Sequence, residues 1–192
     1  VNHCLRGAEA DRDEEHVRRY CQREGIPLEV LKIDVREEAA KRKLGLEACG
    51  RAVRYEFFRR LAGENGVIAT AHTLSDLAET VLLHLTRGTG LKGLCGIPPV
   101  RENIVRPLID CSRREIEDYC REHKIPYVTD STNLEARYSR NKVRLQVLPA
   151  LKEINPAFEE AVGRMAQSLR EDDGCLCEEA RELLGRAALE KG

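Results

Sequence analysis

The sequence predicts an α/β fold, a Rossmann-like parallel sheet with flanking helices, followed by a helical segment. Three observations predict it. Short apolar runs, Leu28–Val35 and Val67–Ala71, alternate with longer stretches of helical spacing. Glycines at 25, 66 and 88 separate the two kinds of segment. From Asn141 to the end helical spacing dominates, interrupted near Pro149, Pro156 and Gly174. Strands that alternate with helices pair in parallel, because each helix carries the chain back across the sheet.

Taken in order, Val1–Leu5 reads as the end of a strand. Asp11 with Glu14 three residues on has the form of a capping box and opens a helix to about Glu24. Leu28–Val35 alternates apolar and polar residues as a strand does, and a charged connection follows. Leu46–Leu61 is helical, with Ala48, Ala52, Tyr55, Phe58 and Leu61 at helical spacing. Val67–Ala71 is the next strand and Ser75–Thr86 the next helix. Ile104–Ile109 reads as a strand interrupted at Pro107. Ser112 with Glu115 is a capping box for a helix to about His123, and Ile125–Val128 is at most a short strand. A domain boundary is placed near Pro149, giving 1–149 as one domain and 150–192 as a helical connection to a further one.

Thirty-two Lys and Arg against 33 Asp and Glu leave a formal net charge of −1, so net charge alone argues for no nucleic-acid partner. The distribution is uneven: Ala136–Lys152 carries Arg137, Arg140, Lys142, Arg144 and Lys152 with no acid among them. No apolar run approaches the roughly 20 residues of a membrane span. The eight cysteines form no CxxC pair, which fits small buried side chains in a reducing, cytoplasmic setting.

Four constellations could carry chemistry. His72, Asp76 and Glu79 gather where a strand ends and a helix begins, the edge at which open α/β sheets bind ligands. Carboxylates three apart share a helix face and suit an ammonium group; a metal is the other reading, and the structural reading is that Asp76 only complements its helix dipole. In Arg87–Gly93 the glycines, Gly88 and Gly90 among them, either stop a helix or admit a phosphate close to the backbone. Arg51 and Arg54 lie on one helix face, turned to solvent or to a nucleotide or RNA phosphate. Arg137–Arg144 opens a helix with cations, which its dipole disfavours; phosphate binding would resolve that conflict.

These segments resemble the tRNA(Ile)-lysidine synthases of the PP-loop ATP pyrophosphatase superfamily. The resemblance is carried by VNHCLRG, by GLEACGRAVRYEFF with Arg51 and Arg54, and by AHTLSDLAETVLLHLTRGTGLKGL with His72, Asp76 and Glu79. IVRPLIDCSRREIEDYC and DSTN…RYSRNKVR, with Asn133, Arg140, Asn141 and Arg144, extend it to about Leu151. It implies an adenine nucleotide alpha hydrolase-like fold and an ATP-dependent ligation on tRNA(Ile) with a CAU anticodon. C2 of the wobble cytidine would be adenylated with loss of pyrophosphate, and the amine of L-lysine would then displace AMP. It further implies Mg²⁺ with the ATP, lysine held by Asp76 and Glu79, and Arg51, His72, Asp76 and Glu79 as catalytic residues. Arg51, Arg54, Gly88 and Gly90 would meet the nucleotide. His72, Arg137, Arg140, Asn141 and Arg144 would meet the tRNA, and a homodimer is allowed.

The SGGxDS loop that holds pyrophosphate in that family belongs upstream of Val1. The chain is therefore expected to be a portion of a longer enzyme, inactive by itself. Three rival readings remain: a PP-loop tRNA thiolase, against which the lack of CxxC and the RGTGLKGL loop both count; an RNA-binding module; and a metal-dependent hydrolase using His72, Asp76 and Glu79.

Overall fold

The computed structural model describes residues 1–127 and 139–189. The chain divides into two compact units, Val1–Ile68 and Ala69 onward. This division falls far from Pro149, which lies inside a helix.

In the first unit, α1 (Ala8–Glu24) begins at Gly7 rather than at Asp11. Asp11 and Glu14 form no capping box there. Their carboxylates accept hydrogen bonds from the Asn2 side chain at 3.1 and 2.9 Å and so tie the helix to the preceding segment. The strand expected at Leu28–Val35 is reduced to one parallel bridge, Asn2 with Lys32, framed by Asn2 N–H to Leu31 O and Ile33 N–H to Asn2 O. The charged connection after it is a helix, α2 (Val35–Arg42). Asp34 caps it by accepting from the N–H groups of Arg36 and Glu37. Helix α3 (Leu46–Ala62) forms where expected, but its buried stripe is Cys49, Val53 and Phe57 with Tyr55, whereas Ala48 and Leu61 are exposed. Val35 and Ala39 of α2 pack on Cys49 and Val53.

At the junction of the units lies β1 (Ile68–Ala69). In the second unit, α4 (Leu74–Arg87) buries Leu74, Leu77, Ala78 and Val81, the i, i+3, i+4, i+7 stripe of an amphipathic helix. A short helix α5 (Leu91–Leu94) follows, then β2 (Val100–Arg101) and β3 (Ile104–Val105). The strand order is β1-β3-β2, and β2 pairs antiparallel with β3. This pair is antiparallel because only Glu102 and Asn103, with Glu102 at positive φ, separate the two strands, and so short a connection can only reverse the chain; the sequence reading has no strand at Val100–Arg101. Pro107 ends β3 early.

Helix α6 (Arg113–Glu122) starts on the expected Ser112–Glu115 capping box. No strand forms over residues 125–127. Helix α7 (Ser139–Lys142) runs through a π-helical turn (Val143–Val147) into α8 (Leu148–Ile154), and α9 (Phe158–Leu189) follows. Val143, Leu148, Val162 and Ala166 complete the core begun by α4, with Ile109. The segment after Pro149 therefore helps build the core of the second unit.

Two glycines make opposite predictions. Gly96 has φ 63°, and a Cβ there would run into the Leu77 side chain beneath it. Gly96→Ala should cost about 1–3 kcal/mol, from backbone strain and overpacking together. Gly174 lies inside α9 with open space around its Cβ position; Gly174→Ala should add about 0.5–1 kcal/mol. Urea unfolding of the two variants checks both signs.

Candidate functional site

His72, Asp76 and Glu79 lie where expected, between β1 and the first turns of α4. Thr73 caps α4, and Asp76 Oδ2 accepts from the Thr73 N–H at 3.0 Å and from its hydroxyl at 3.1 Å. One oxygen of Asp76 is thus occupied with helix capping, as the structural reading proposed. Its other oxygen faces away. The His72 ring meets the Thr70 hydroxyl through Nδ1 at 2.9 Å, which sets the ring's orientation.

Glu79 sits on the flank of the apolar stripe of α4, and its side chain is 0% exposed. A carboxylate cannot be left there uncompensated, because burying an isolated charge costs many kcal/mol. The compensation comes from more than 60 residues later in the chain. Arg144 donates Nε to Glu79 Oε1 at 2.5 Å and Nη2 to Oε2 at 3.1 Å, a two-pronged contact. Arg140 donates Nε to Glu79 Oε2 at 2.8 Å and Nη2 to Asp76 Oδ1 at 3.2 Å. Arg144 Nη2 also lies 3.7 Å from Asp76 Oδ1. The result is two carboxylates against two guanidiniums, with every carboxylate oxygen engaged.

The sequence reading gives Arg140 and Arg144 to phosphate, and the fold brings both against the acidic residues. Arg140 and Arg144 form no separate solvated patch; they are the counter-ions of Asp76 and Glu79. Burial pulls the Arg144 guanidinium down in pKa, but the Glu79 hydrogen bonds and the charges of Glu79 and Asp76 outweigh it and the value is raised. Arg144 stays charged under all ordinary conditions.

The π turn helps position these guanidiniums. Pro149 has no N–H to close an α-helical bond, and its ring crowds the carbonyl four residues back. The preceding turn widens, so that the Leu148 N–H reaches the Val143 carbonyl. Val143 and Leu148 stay in the core, and Arg140 and Arg144 stay on the face towards α4.

Asp76, Glu79 and Arg144 line a cavity of about 500 Å³, bounded further by Arg113, Glu117, Lys152 and Glu159. Lys152 and Glu159 are paired at 2.8 Å. Ile116, Cys120, Tyr127 and Leu148 add an apolar side. Arg113 and Glu117 of α6 and Glu159 of α9 have no place in the sequence reading of the site; only the i, i+4 spacing of Arg113 and Glu117 hints at a common face.

Gly88 ends α4 with φ 74°, its N–H on the Leu85 carbonyl, and Gly90 caps α5. Nothing lies within 4 Å of a Cβ position at either glycine. Helix termination accounts for both, and their backbones remain open. Arg51 and Arg54 belong to the first unit. Both are exposed, with guanidinium carbons 4.8 and 6.0 Å from the Tyr55 ring centroid. Arg137 lies outside the described residues, as does Asn133. Asn141 is half-buried in α7. Among the described residues no group of three or more His, Cys, Asp and Glu side chains is arranged to hold a metal ion, and no helix is long and apolar enough to cross a membrane.

Two predictions follow from the charges. Arg144→Ala should destabilise the protein by about 3 kcal/mol, the low end for breaking a buried pair, because Arg140 remains on Glu79; thermal and urea unfolding would read it, and a loss under about 1 kcal/mol would contradict the burial argument. In the first unit, burial and the nearby Arg54 charge hold His3 below its ordinary value of 6.5, and its Nδ1 is buried without a hydrogen-bond partner. A lowered value in the folded state means that the unfolded chain binds the proton more readily. Stability should therefore be whole above pH 6.5 and fall as the pH drops through the lowered value. His3→Gln should flatten that slope; an unchanged pH dependence of unfolding would assign it elsewhere.

A PP-loop domain family matches residues 1–151. The tRNA(Ile)-lysidine synthase of Clostridium tetani is 43% identical over 176 residues, which is 90% of this chain and 38% of that protein. That of Porphyromonas gingivalis is 44% identical over 173 residues, 87% of this chain and 38% of the relative. That of Petrotoga mobilis is 41% identical over 190 residues, 95% of this chain and 60% of the relative. The chain thus spans 38% to 60% of the length of these curated relatives. The solved structure of a U34-tRNA thiolase, NcsA from Methanococcus maripaludis with its 4Fe-4S cluster, superposes with a TM-score of 0.69 over 89% of this chain and 61% of that one, at 18% identity, a likeness of fold. By its sequence over residues 1–151 and by its α/β fold, the chain belongs to the PP-loop domain family.

Proposed function

We propose that this chain is the PP-loop portion of a tRNA(Ile)-lysidine synthase and that the cavity beside Asp76 and Glu79 takes L-lysine. The observation that carries the reading is the acid pair of buried Glu79 and half-buried Asp76 lining a mixed-charge cavity, in a chain 40–44% identical to curated tRNA(Ile)-lysidine synthases. Lysine carries two ammonium groups and one carboxylate around a four-carbon stem. A cavity bounded by four carboxylates, three cations and an apolar side offers a counterpart to each.

In the reaction the wobble cytidine O2 attacks the α-phosphorus of ATP and pyrophosphate leaves. The lysine amine then attacks C2, the C2–O2 bond breaks and AMP departs with the oxygen. The amine must lose a proton to attack, and a carboxylate near it can accept one. His72, oriented by Thr70, would contact the extruded cytosine. Arg51 and Arg54, with the open backbones of Gly88 and Gly90, are the candidates for phosphate contact. Arg137, Arg140, Asn141 and Arg144 are assigned to the tRNA, and Arg140 and Arg144 carry a second task as counter-ions. The Asp76 and Glu79 oxygens are engaged by Thr73 and by guanidiniums, so Mg²⁺ would enter with ATP, held by its phosphates.

The thiolase reading has only the fold in its favour, and the eight cysteines of this chain include no CxxC.

In the full-length protein, Glu79→Gln and Asp76→Asn should each weaken lysine use by about 10- to 150-fold, the worth of a charge-assisted buried contact, and leave ATP affinity nearly unchanged. The measurement is lysine-dependent AMP formation on a CAU-anticodon transcript. Unchanged lysine dependence in both variants would remove the lysine site from this cavity.

A further inference from the structure

The charge count of the Asp76–Glu79 site constrains how a cation can enter it. Two carboxylates already face two guanidiniums, and each carboxylate oxygen accepts at least one hydrogen bond. Adding an ammonium to that cluster would leave it with one net positive charge and crowd oxygens that each already accept a hydrogen bond. An ammonium therefore binds there more favourably by replacing a cation than by joining both.

The two arginines are not equally replaceable. Arg144 grips the buried Glu79 carboxylate with two nitrogens, and its neighbour Val143 is anchored in the core. Arg140 reaches Glu79 with one nitrogen and Asp76 with another, and its side chain is the more exposed, 34% against 26%. It sits in the four-residue helix α7. Arg140 also belongs to the basic run that suits a phosphate backbone.

We propose that Arg140 is an exchangeable counter-ion: it occupies the ammonium position at Asp76 and Glu79 until an RNA phosphate draws it away, and lysine then takes its place. The inference rests on the lysine reading above and deepens it. Arg144 stays on Glu79 in both states, so the buried carboxylate is never uncompensated. RNA and lysine binding become coupled, each favouring the other by the same factor, because both stabilise the state in which Arg140 has left the acids. A charge exchange of this kind makes the site selective in time as well as in chemistry: free lysine competes poorly until the RNA is in place.

The test is calorimetric titration of L-lysine into the full-length protein, without ATP, in the presence and absence of a saturating CAU anticodon stem–loop RNA. In the wild type the RNA should tighten lysine binding by about tenfold or more, within the usual range of coupling between sites. In Arg140→Ala, lysine should bind without RNA about as tightly as it binds the wild type with RNA, and the coupling should vanish. A gain in affinity is not what structural damage produces, so it separates exchange from a merely structural Arg140. Should Arg140→Ala fold poorly, the wild-type coupling and its converse, tighter RNA binding at saturating lysine, decide the matter alone. Lysine binding that depends on Glu79 but is indifferent to RNA overturns the exchange and keeps the lysine site. Lysine binding that is absent throughout, or indifferent to Glu79→Gln, overturns the site itself.

Discussion

A fully buried carboxylate organises the second unit of this protein. Glu79 lies on a helix whose neighbouring positions, Leu77, Ala78 and Val81, are in the apolar core, so it cannot rotate into water without unpacking them. Its charge must be met in place, and Arg144 meets it with two hydrogen bonds and Arg140 with a third. A buried pair of this kind is a poor source of net stability, since desolvation consumes most of the Coulombic gain. Its effect is positional. It ties the run of helix from Ser139 to Ile154 to α4 in a single register, because a shift of one residue would leave both guanidiniums and the carboxylate unmatched.

The scaffold around this pair permits little adjustment. Gly163 brings α9 so close to α4 that a Cβ there would crowd the Leu74 side chain, and Gly96 lets the chain pass over Leu77. His84 holds the α5 region through the Gly93 carbonyl at 2.7 Å, and Arg170 of α9 donates to the Cys95 carbonyl at 2.9 Å. Asp76 serves both purposes at once. One oxygen caps the helix that carries it and the other faces Arg140, so the residue's position is fixed by secondary structure and its free lone pairs are left for the site. A helix start is well suited to this, because the cap needs an acceptor whether or not a ligand is bound.

What was legible in the sequence was local. The helices α3, α4 and α6 announce themselves by periodicity and by caps, and His72, Asp76 and Glu79 fall together because they lie within one strand–helix junction. The helix α2 was legible too, since Asp34 is a good N-cap before a run of helix formers, but its high charge disguised it as a connection. The strands are shorter than their apolar runs suggest, and β2 with its antiparallel pairing to β3 has no counterpart in the sequence reading, because apolar alternation says nothing about the partner. The Asp11–Glu14 pair has the spacing of a capping box yet serves Asn2; a spacing cannot tell which donor the carboxylates will find. The pairing of Glu79 with Arg140 and Arg144 had no local signal, being a contact across more than 60 residues. One clue did exist: a Glu at the edge of an apolar helical stripe demands a cation, and the acid-free stretch from Ala136 to Lys152 is the richest supply in this unit.

The choice of arginine at both positions follows from the same constraint. A lysine ammonium would neutralise Glu79, but as a compact charge on a flexible stem it lacks the fixed fork that holds two acids in one geometry. A guanidinium spans the two acids with nitrogens fixed by its own geometry, as Arg140 does with Nε on one and Nη2 on the other. It is also weakly hydrated for a cation, so transferring it between a carboxylate and a phosphate costs little in either direction. A substrate ammonium has the opposite properties: strongly hydrated, compact, and able to give up a proton. Under the proposed exchange, a site that rests with guanidiniums on its acids and works with an ammonium there would use each cation for what its chemistry allows. The arginine keeps the charge balanced indefinitely, and the amine can both occupy the site and react.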